Sequence, residues 1–281
     1  MLGSVGDLVE DVVVRLLGPV NLASDTDAHV MRRRGGSAAN VVESAVRAGG
    51  SARFIGQVGD DATGQWLTDS LEALGASVAV RREGRTGTIV VLVDGEGERT
   101  MLCDRGACTH LREPDPAWLD GLSVLHLPYY SLVGEPLAST VHTLAQWAGQ
   151  RGITVSVDTS SAALLEAAGV DAALTRIAAL GPSVVLANEL EAAVLGDALF
   201  SLHDTTVVVK HGASPAMVHQ PGTEPVAVPA IRVDEVRDTT GAGDAFAAGF
   251  LLAWAVGATA IEATQRGHAV AAEQVRRVSA A

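Results

Sequence analysis

The chain has 281 residues, 48% of them hydrophobic, with 20 basic against 33 acidic side chains and a formal charge of -13. That length and apolar content suffice for a large globular core, while the acidic balance excludes a non-specific binder of nucleic acid or of an anionic membrane, since either would be repelled. Lys210, the only lysine, lies between Val209 and His211 and so excludes a GxxxxGK[ST] loop; any phosphate site must be local and built differently.

The opening MLGSVGDLVEDVVVRLL has no basic n-region of the kind a signal peptide carries. It reads as two short strands with a polar crossing marked by Asp7, Glu10 and Asp11. After Gly35 and Gly36, SAANVVESAVRAGG has apolar residues at helical spacing, with Ser37 as candidate cap and Gly49 as stop. SARFIGQVG then reads as a strand and DATGQWLTDSLEALGA as an amphipathic helix. TGTIVVLVDGEGERTMLC is two β-rich runs about DGEG, a hairpin over residues 86 to 104 set among strand–helix units. Cys103 and Cys108 have no Cys or His partners at zinc spacing and read as reduced thiols of a cytoplasmic protein.

Further along, SVLHL, GITVSVD, SVVLAN and TTVVVK alternate with helical stretches such as EPLASTVHTLAQWAGQ. Such alternation predicts a mostly parallel sheet covered on both faces, with ligands at the carboxyl ends of the strands. The polar residues just past those strands, Asp158, Asn188, Glu191, Lys210 and Gly212, become candidates. No linker or repeat divides the chain, which reads as a single α/β domain over 1–281. The uncharged run from Ala245 to Ile261 is rich in Ala and Gly and predicts a buried core helix in preference to a membrane span.

Residues 237 to 250, RDTTGAGDAFAAGF, enter that helix. Gly241, Ala242 and Gly243 let backbone amides converge on an anion at the helix start, and Asp244 would then face an acceptor hydroxyl as general base. The plainer reading makes GAG a glycine turn for tight packing and Asp244 a helix-start acid favoured by the dipole. A GxGxxG dinucleotide loop is not satisfied, because its sixth position is Phe246.

DTTGAGDAFAAGF resembles the C-terminal signature of the PfkB, or ribokinase-like, family of sugar and nucleoside kinases, and RGGSAANVVESAVRAGGSARFIGQVGDDATGQWL resembles its N-terminal signature, a GG-x-x-x-N helix followed by a strand and GDD-x-x-G. The resemblance implies a three-layer α/β/α fold with a mostly parallel central sheet and a small β lid contributed by about residues 9–34 and 78–106. It implies an ATP-dependent carbohydrate kinase, with Asp244 as catalytic base and the amides of 241–244 as anion hole. Asp11, Gly35, Gly36 and Asn40 match positions that contact acceptor hydroxyls, and Arg105 could reach a substrate oxygen or carboxylate from the lid. Asn188 and Glu191 resemble a pair that helps hold Mg2+ and phosphate through water, and Lys210 and Gly212 would lie near the nucleotide phosphates. Asp238 and Thr240 match a monovalent-cation loop, with K+ as its candidate ion. Against potassium stands the C-terminus, where Ser279 and Ala280 occupy the place of a Gly-Ala turn. The expected partners are ATP and a small sugar or sugar acid, with homodimerisation through the outer face of the lid.

Each residue also has a reading independent of the resemblance. Asp11 could be an exposed strand-end acid, Asn40 a helix-start hydrogen bonder, Asn188 and Glu191 a cap, Lys210 an ordinary strand-edge lysine, and Arg105 one half of a surface salt bridge. Alternative functions are a nucleoside kinase of the same family and a sugar- or nucleotide-binding regulator with little turnover.

Overall fold

A computed structural model of the chain describes residues 1–279. Its elements, in order, are β1 (Leu2–Val5), β2 (Val9–Leu16), β3 (Ala28–Gly35), α1 (Ser37–Arg47), β4 (Ala52–Val58), α2 (Ala62–Ala73), β5 (Ser77–Arg82), β6 (Thr86–Val93), β7 (Arg99–Gly106), β8 (Val124–Pro128), α3 (Leu137–Gln150), β9 (Thr154–Asp158), α4 (Ala162–Ala168), α5 (Val170–Ala178), β10 (Val184–Asn188), α6 (Glu189–Leu195), β11 (Thr206–His211), β12 (Ser214–His219), β13 (Val226–Val228), α7 (Ala242–Trp254) and α8 (Ala260–Ser279).

The main sheet has nine strands in the order β13-β12-β11-β10-β9-β8-β1-β4-β5. From β11 to β5 all neighbours are parallel, and β12 and β13 extend the sheet by antiparallel pairing. Strands buried on both faces send successive side chains to opposite sides. In β10, Val184 and Leu186 join the core that α1, α2 and α7 cover, whereas Val185 and Ala187 join the core beneath α3 and α5. The result is the expected three-layer arrangement, with Asp158, Asn188 and Lys210 at the carboxyl ends of adjacent strands β9, β10 and β11.

The uncharged run is split between two helices. Residues Ala245 to Leu251 of α7 are buried throughout, as a helix apolar on all sides requires, and a turn through Gly257 leads into α8. Among the described residues no helix is long and apolar enough to cross a membrane.

The second sheet is the lid, in the order β3-β2-β6-β7. The expected hairpin is present as β6 and β7, which pair antiparallel from Thr86↔Gly106 to Val93↔Arg99. The lid boundary differs from the expectation: Ser77–Arg82 pairs in parallel with β4 as the edge of the main sheet, so the lid comprises Val9–Gly35 and Thr86–Gly106. Ser77–Arg82 has the β-rich character of the hairpin that follows it, and composition does not say to which sheet an edge strand belongs. On one lid face Val13, Val91 and Val93 are buried together.

Candidate active site

Asp244 stands in the first turn of α7, one turn beyond Gly241, which caps the helix in the left-handed region at φ 74°. Glycine adopts that conformation without a Cβ penalty, and it lets the chain reverse into the helix with its amides facing outward. Ala242 N–H is turned back on the Thr239 carbonyl at 3.1 Å. The amides of Gly241, Gly243 and Asp244 make no hydrogen bond among the described residues. The expected four-amide nest therefore lacks the Ala242 donor, because the tight turn uses it.

The Asp244 carboxylate is half-buried and accepts from Ser37 Oγ at 2.7 Å and from Asn40 Nδ2 at 3.0 Å. Burial pushes its pKa up to about 6, against the two hydrogen bonds, which favour the anion; Asp158 adds to the rise and Lys210 opposes it. Ser37 was expected to cap α1, but the cap residue is Gly36 at φ 102°, with no side-chain hydrogen bond. A Cβ on Gly36 would lie 2.2 Å from the Asp7 carbonyl oxygen. The glycine pair thus brings α1 close against the start of β2, places Ser37 inside the helix and frees its hydroxyl for Asp244.

Asp11 lies on β2 opposite Arg33, with Oδ2 at 3.6 Å from Arg33 Nε, and its pKa is raised by burial against the pull of Arg33. Its carboxylate overhangs Gly35, where an added Cβ would meet Oδ1 at 2.2 Å. Arg34 reaches the other side of Asn40, its guanidinium 3.4 Å from Oδ1. A cavity of about 470 Å³ is lined by Asp11, Arg33, Arg34, Asn40, Thr240 and Gly241 among others. A second cavity, of about 510 Å³, lies around Met1, Gly50, Ser123 and Arg266 and holds none of the expected site residues.

Arg105 is not a surface pair. It stacks over the Tyr130 ring at 4.5 Å, and its Nε lies 3.4 Å from Oδ2 of the buried Asp7. Burial raises the Asp7 pKa and Arg105 opposes the rise; the other oxygen, Oδ1, has no hydrogen-bond partner among the described residues.

Lys210 Nζ donates to Asp158 Oδ2 at 2.7 Å and lies 3.6 Å from where a Cβ on Gly243 would stand. Burial works against its charge, but Asp158 and Glu191 outweigh burial and raise its pKa. The chain's one lysine is thereby kept cationic at the helix start. Sequence reasoning missed Asp158 as its anchor and Ser37 as a partner of the base. The signal for Asp158 was its place at a strand's carboxyl end; for Ser37 no local signal exists, since its contact is 207 residues away.

Asn188 and Glu191 close a capping box on α6. Glu191 Oε2 accepts from Asn188 N at 2.8 Å and from Thr159 Oγ1 at 2.6 Å, and Oε1 accepts from Asn188 Nδ2 at 2.7 Å. Only 2% of Glu191 is exposed, and its pKa is raised by burial and by Asp158. Gly212 forms the turn between β11 and β12 at φ 58°. Asp238 Oδ1 accepts from Thr240 N at 2.7 Å and from Thr240 Oγ1 at 2.5 Å, and also receives Arg99 of the lid. His268, in α8, is buried with Nε2 against the Val228 carbonyl at 3.2 Å and edge-on to Phe246.

The structure thus brings Asp11, Gly35, Gly36, Asn40, Gly241, Gly243, Asp244 and Lys210 into one region between lid and main sheet, with Asp238 and Thr240 at its rim. A carboxylate beside unbonded amides and a lysine is an arrangement that can serve phosphoryl transfer to an alcohol. The chain belongs to the pfkB family of carbohydrate kinases, whose model matches residues 3–281. Among curated relatives, an ATP-dependent ribose-1-phosphate kinase of Halopiger xanaduensis is 33% identical, over 82% of this chain and 77% of the relative. A fructokinase of Klebsiella pneumoniae is 32% identical, over 83% and 80%. Among solved structures, a probable sugar kinase of Rhizobium etli superposes with a TM-score of 0.86 at 25% identity, over 98% of this chain and 92% of that one. The adenosine kinase of Sinorhizobium meliloti shares the fold, with a TM-score of 0.85 at 23% identity over 98% and 93%.

Proposed function

We propose that the protein is an ATP-dependent sugar kinase, transferring the γ-phosphoryl group to a hydroxyl of a small carbohydrate with Asp244 as general base. The observation that carries this reading is the Asp244 carboxylate at the start of α7, oriented by Ser37 and Asn40 beside unbonded amides. The acceptor lies between Asp11 and Asn40, whose oxygens and amide suit a polyol. Its reacting hydroxyl faces Asp244, which takes the proton as the oxygen attacks. The amides of Gly241, Gly243 and Asp244, with Lys210, steady the charge on the migrating group. General base assistance contributes roughly 10² to 10⁴ in rate, with positioning and electrostatics supplying much of the rest. Arg105, held by Asp7 and Tyr130, is assigned in this reading to an oxygen or carboxylate of the sugar.

Magnesium would accompany the nucleotide and neutralise charge on its phosphate oxygens. Both Glu191 oxygens are already engaged, so Glu191 fits an outer role through water and not direct ligation. Asn188 and Gly212 line the approach to the phosphates from the ends of β10 and β11. The relatives named for ribose-1-phosphate and fructose support a furanose-sized acceptor. A second reading, a nucleoside kinase, is favoured by a relative named aminoimidazole riboside kinase and by the fold shared with adenosine kinase.

The test is ADP release from ATP and Mg2+ across a panel of free sugars, phosphorylated sugars, sugar acids and nucleosides. Turnover of a sugar well above any nucleoside is expected. Turnover of nucleosides alone would move the assignment to the second reading, and binding with no ADP release for any acceptor would favour a regulator.

A further inference from the structure

The loop that leads into Gly241 has its charge satisfied from an unexpected direction. Arg99, the first residue of β7, crosses from the lid: one guanidinium nitrogen donates to Asp238 Oδ1 at 2.6 Å and the other to Thr240 Oγ1. Asp238 and Thr240 are the residues that the family resemblance gives to a monovalent cation, and they do not fit one here. Asp238 Oδ1 already receives Thr240 N and Thr240 Oγ1 as well as Arg99, and the Thr240 carbonyl accepts from Gln274 Nε2 at 3.0 Å. The Asp238 carbonyl faces Ser279 Oγ at 3.3 Å. While Arg99 is in place, a potassium ion at Asp238 would have to displace its guanidinium or share the carboxylate with a second positive charge.

We propose that Arg99 is the cation of this loop: a side chain of the lid takes the place of potassium, so that lid closure, and not an ion, orders the approach to the anion hole. Two features support the assignment. The turn that delivers Arg99 is pinned, since Asp94 Oδ1 accepts from the amides of both Glu96 and Glu98 at 2.9 Å, which fixes where the hairpin tip arrives. Val93, the cross-strand partner of Arg99, is buried with Val13 and Val91, so Arg99 projects from the same lid face as this apolar cluster. The guanidinium matches a carboxylate and a hydroxyl side by side in a way a single ion does not need to. Arg99 is accordingly a positioning residue that acts through Asp238 and Thr240 on the amides that follow.

The consequence for turnover rests on the kinase reading, but the ordering of the loop does not, and the two are measured separately. Hydrogen exchange of the segment 236–244 is followed in the full chain, in potassium and in tetramethylammonium salts of equal ionic strength. The wild type should exchange alike in both. Arg99→Ala should exchange about 10-fold faster in tetramethylammonium, the scale of a lost local contact, and recover in potassium as the ion enters the vacated place. Three results would overturn the proposal: wild-type protection that rises with potassium, Arg99→Ala as protected as wild type, or faster exchange that potassium does not slow. Arg99 lies outside the hydrophobic cores, so its replacement leaves the packing of both sheets intact. With a sugar acceptor in hand, wild-type turnover should be indifferent to potassium and Arg99→Ala turnover should depend on it. Absence of turnover with every acceptor would count against the kinase reading and leave the exchange result standing.

Discussion

Burial and hydrogen bonding pull the Asp244 carboxyl in opposite directions, and burial wins, so its pKa of about 6 lies well above the ordinary value of 3.8. A base works in its ionised form, so kcat/KM should fall with decreasing pH through a limb near 6. Ser37 donates to the ionised form; Ser37→Ala removes that stabilisation and should move the limb upward by about one pH unit, the scale of one hydrogen bond to a charge. A pH–rate profile of the two proteins checks this, and an unmoved limb would place the titrating group elsewhere. At this scale the sequence was informative about identity and poor about contacts. The Asp244 and Asn40 positions were readable from the two motifs. The Ala242 amide, used by its own turn, and the Asp7–Arg105 pair depend on backbone rotation and on residues far apart in the chain, which no local pattern encodes.

Among the elements, the start of α1 carries the tightest constraint. Gly36 sits at φ 102° with an added Cβ 2.2 Å from backbone, a conflict that no side-chain movement relieves. Gly36→Ala should cost about 1–3 kcal/mol of stability and, by displacing Ser37 and Asn40 together, should lower turnover more than it raises the acceptor KM. Denaturant unfolding and steady-state kinetics on one preparation measure both. The parallel strands β10 and β11 were legible because each is a short apolar run with a polar residue at its carboxyl end, SVVLAN and TTVVVK. The hairpin was legible from DGEG. The strand Ser77–Arg82 was assigned to the lid and belongs to the main sheet, since its pairing is decided by what α2 brings alongside β4. The box between Asn188 and Glu191 was legible as a cap, and the pair caps α6.

For the whole molecule, the outer lid face presents apolar side chains to solvent. Val14 stands level with Val30 and Leu92, and Val12 with Val90 and Leu102, which puts all six on one side of the sheet. Val30 and Leu102 are 62% and 55% exposed, in a chain whose charge otherwise favours solubility. We expect this face to join two copies lid to lid. Sedimentation equilibrium should show a dimer for the wild type and a monomer for a Val30→Asp, Leu102→Asp double variant; a wild-type monomer at micromolar concentration would contradict the expectation. Such pairing would also brace the lid that carries Asp11, Arg99 and Arg105.

All of this converges on whether the Asp244 carboxylate accepts the proton of the attacking alcohol. The direct measurement is single-turnover phosphoryl transfer by wild type and Asp244→Asn at saturating ATP, Mg2+ and acceptor. The account predicts a rate about 10² to 10⁴ lower for the variant, with the acceptor bound almost as well as before. Transfer by Asp244→Asn at a rate close to wild type would contradict it.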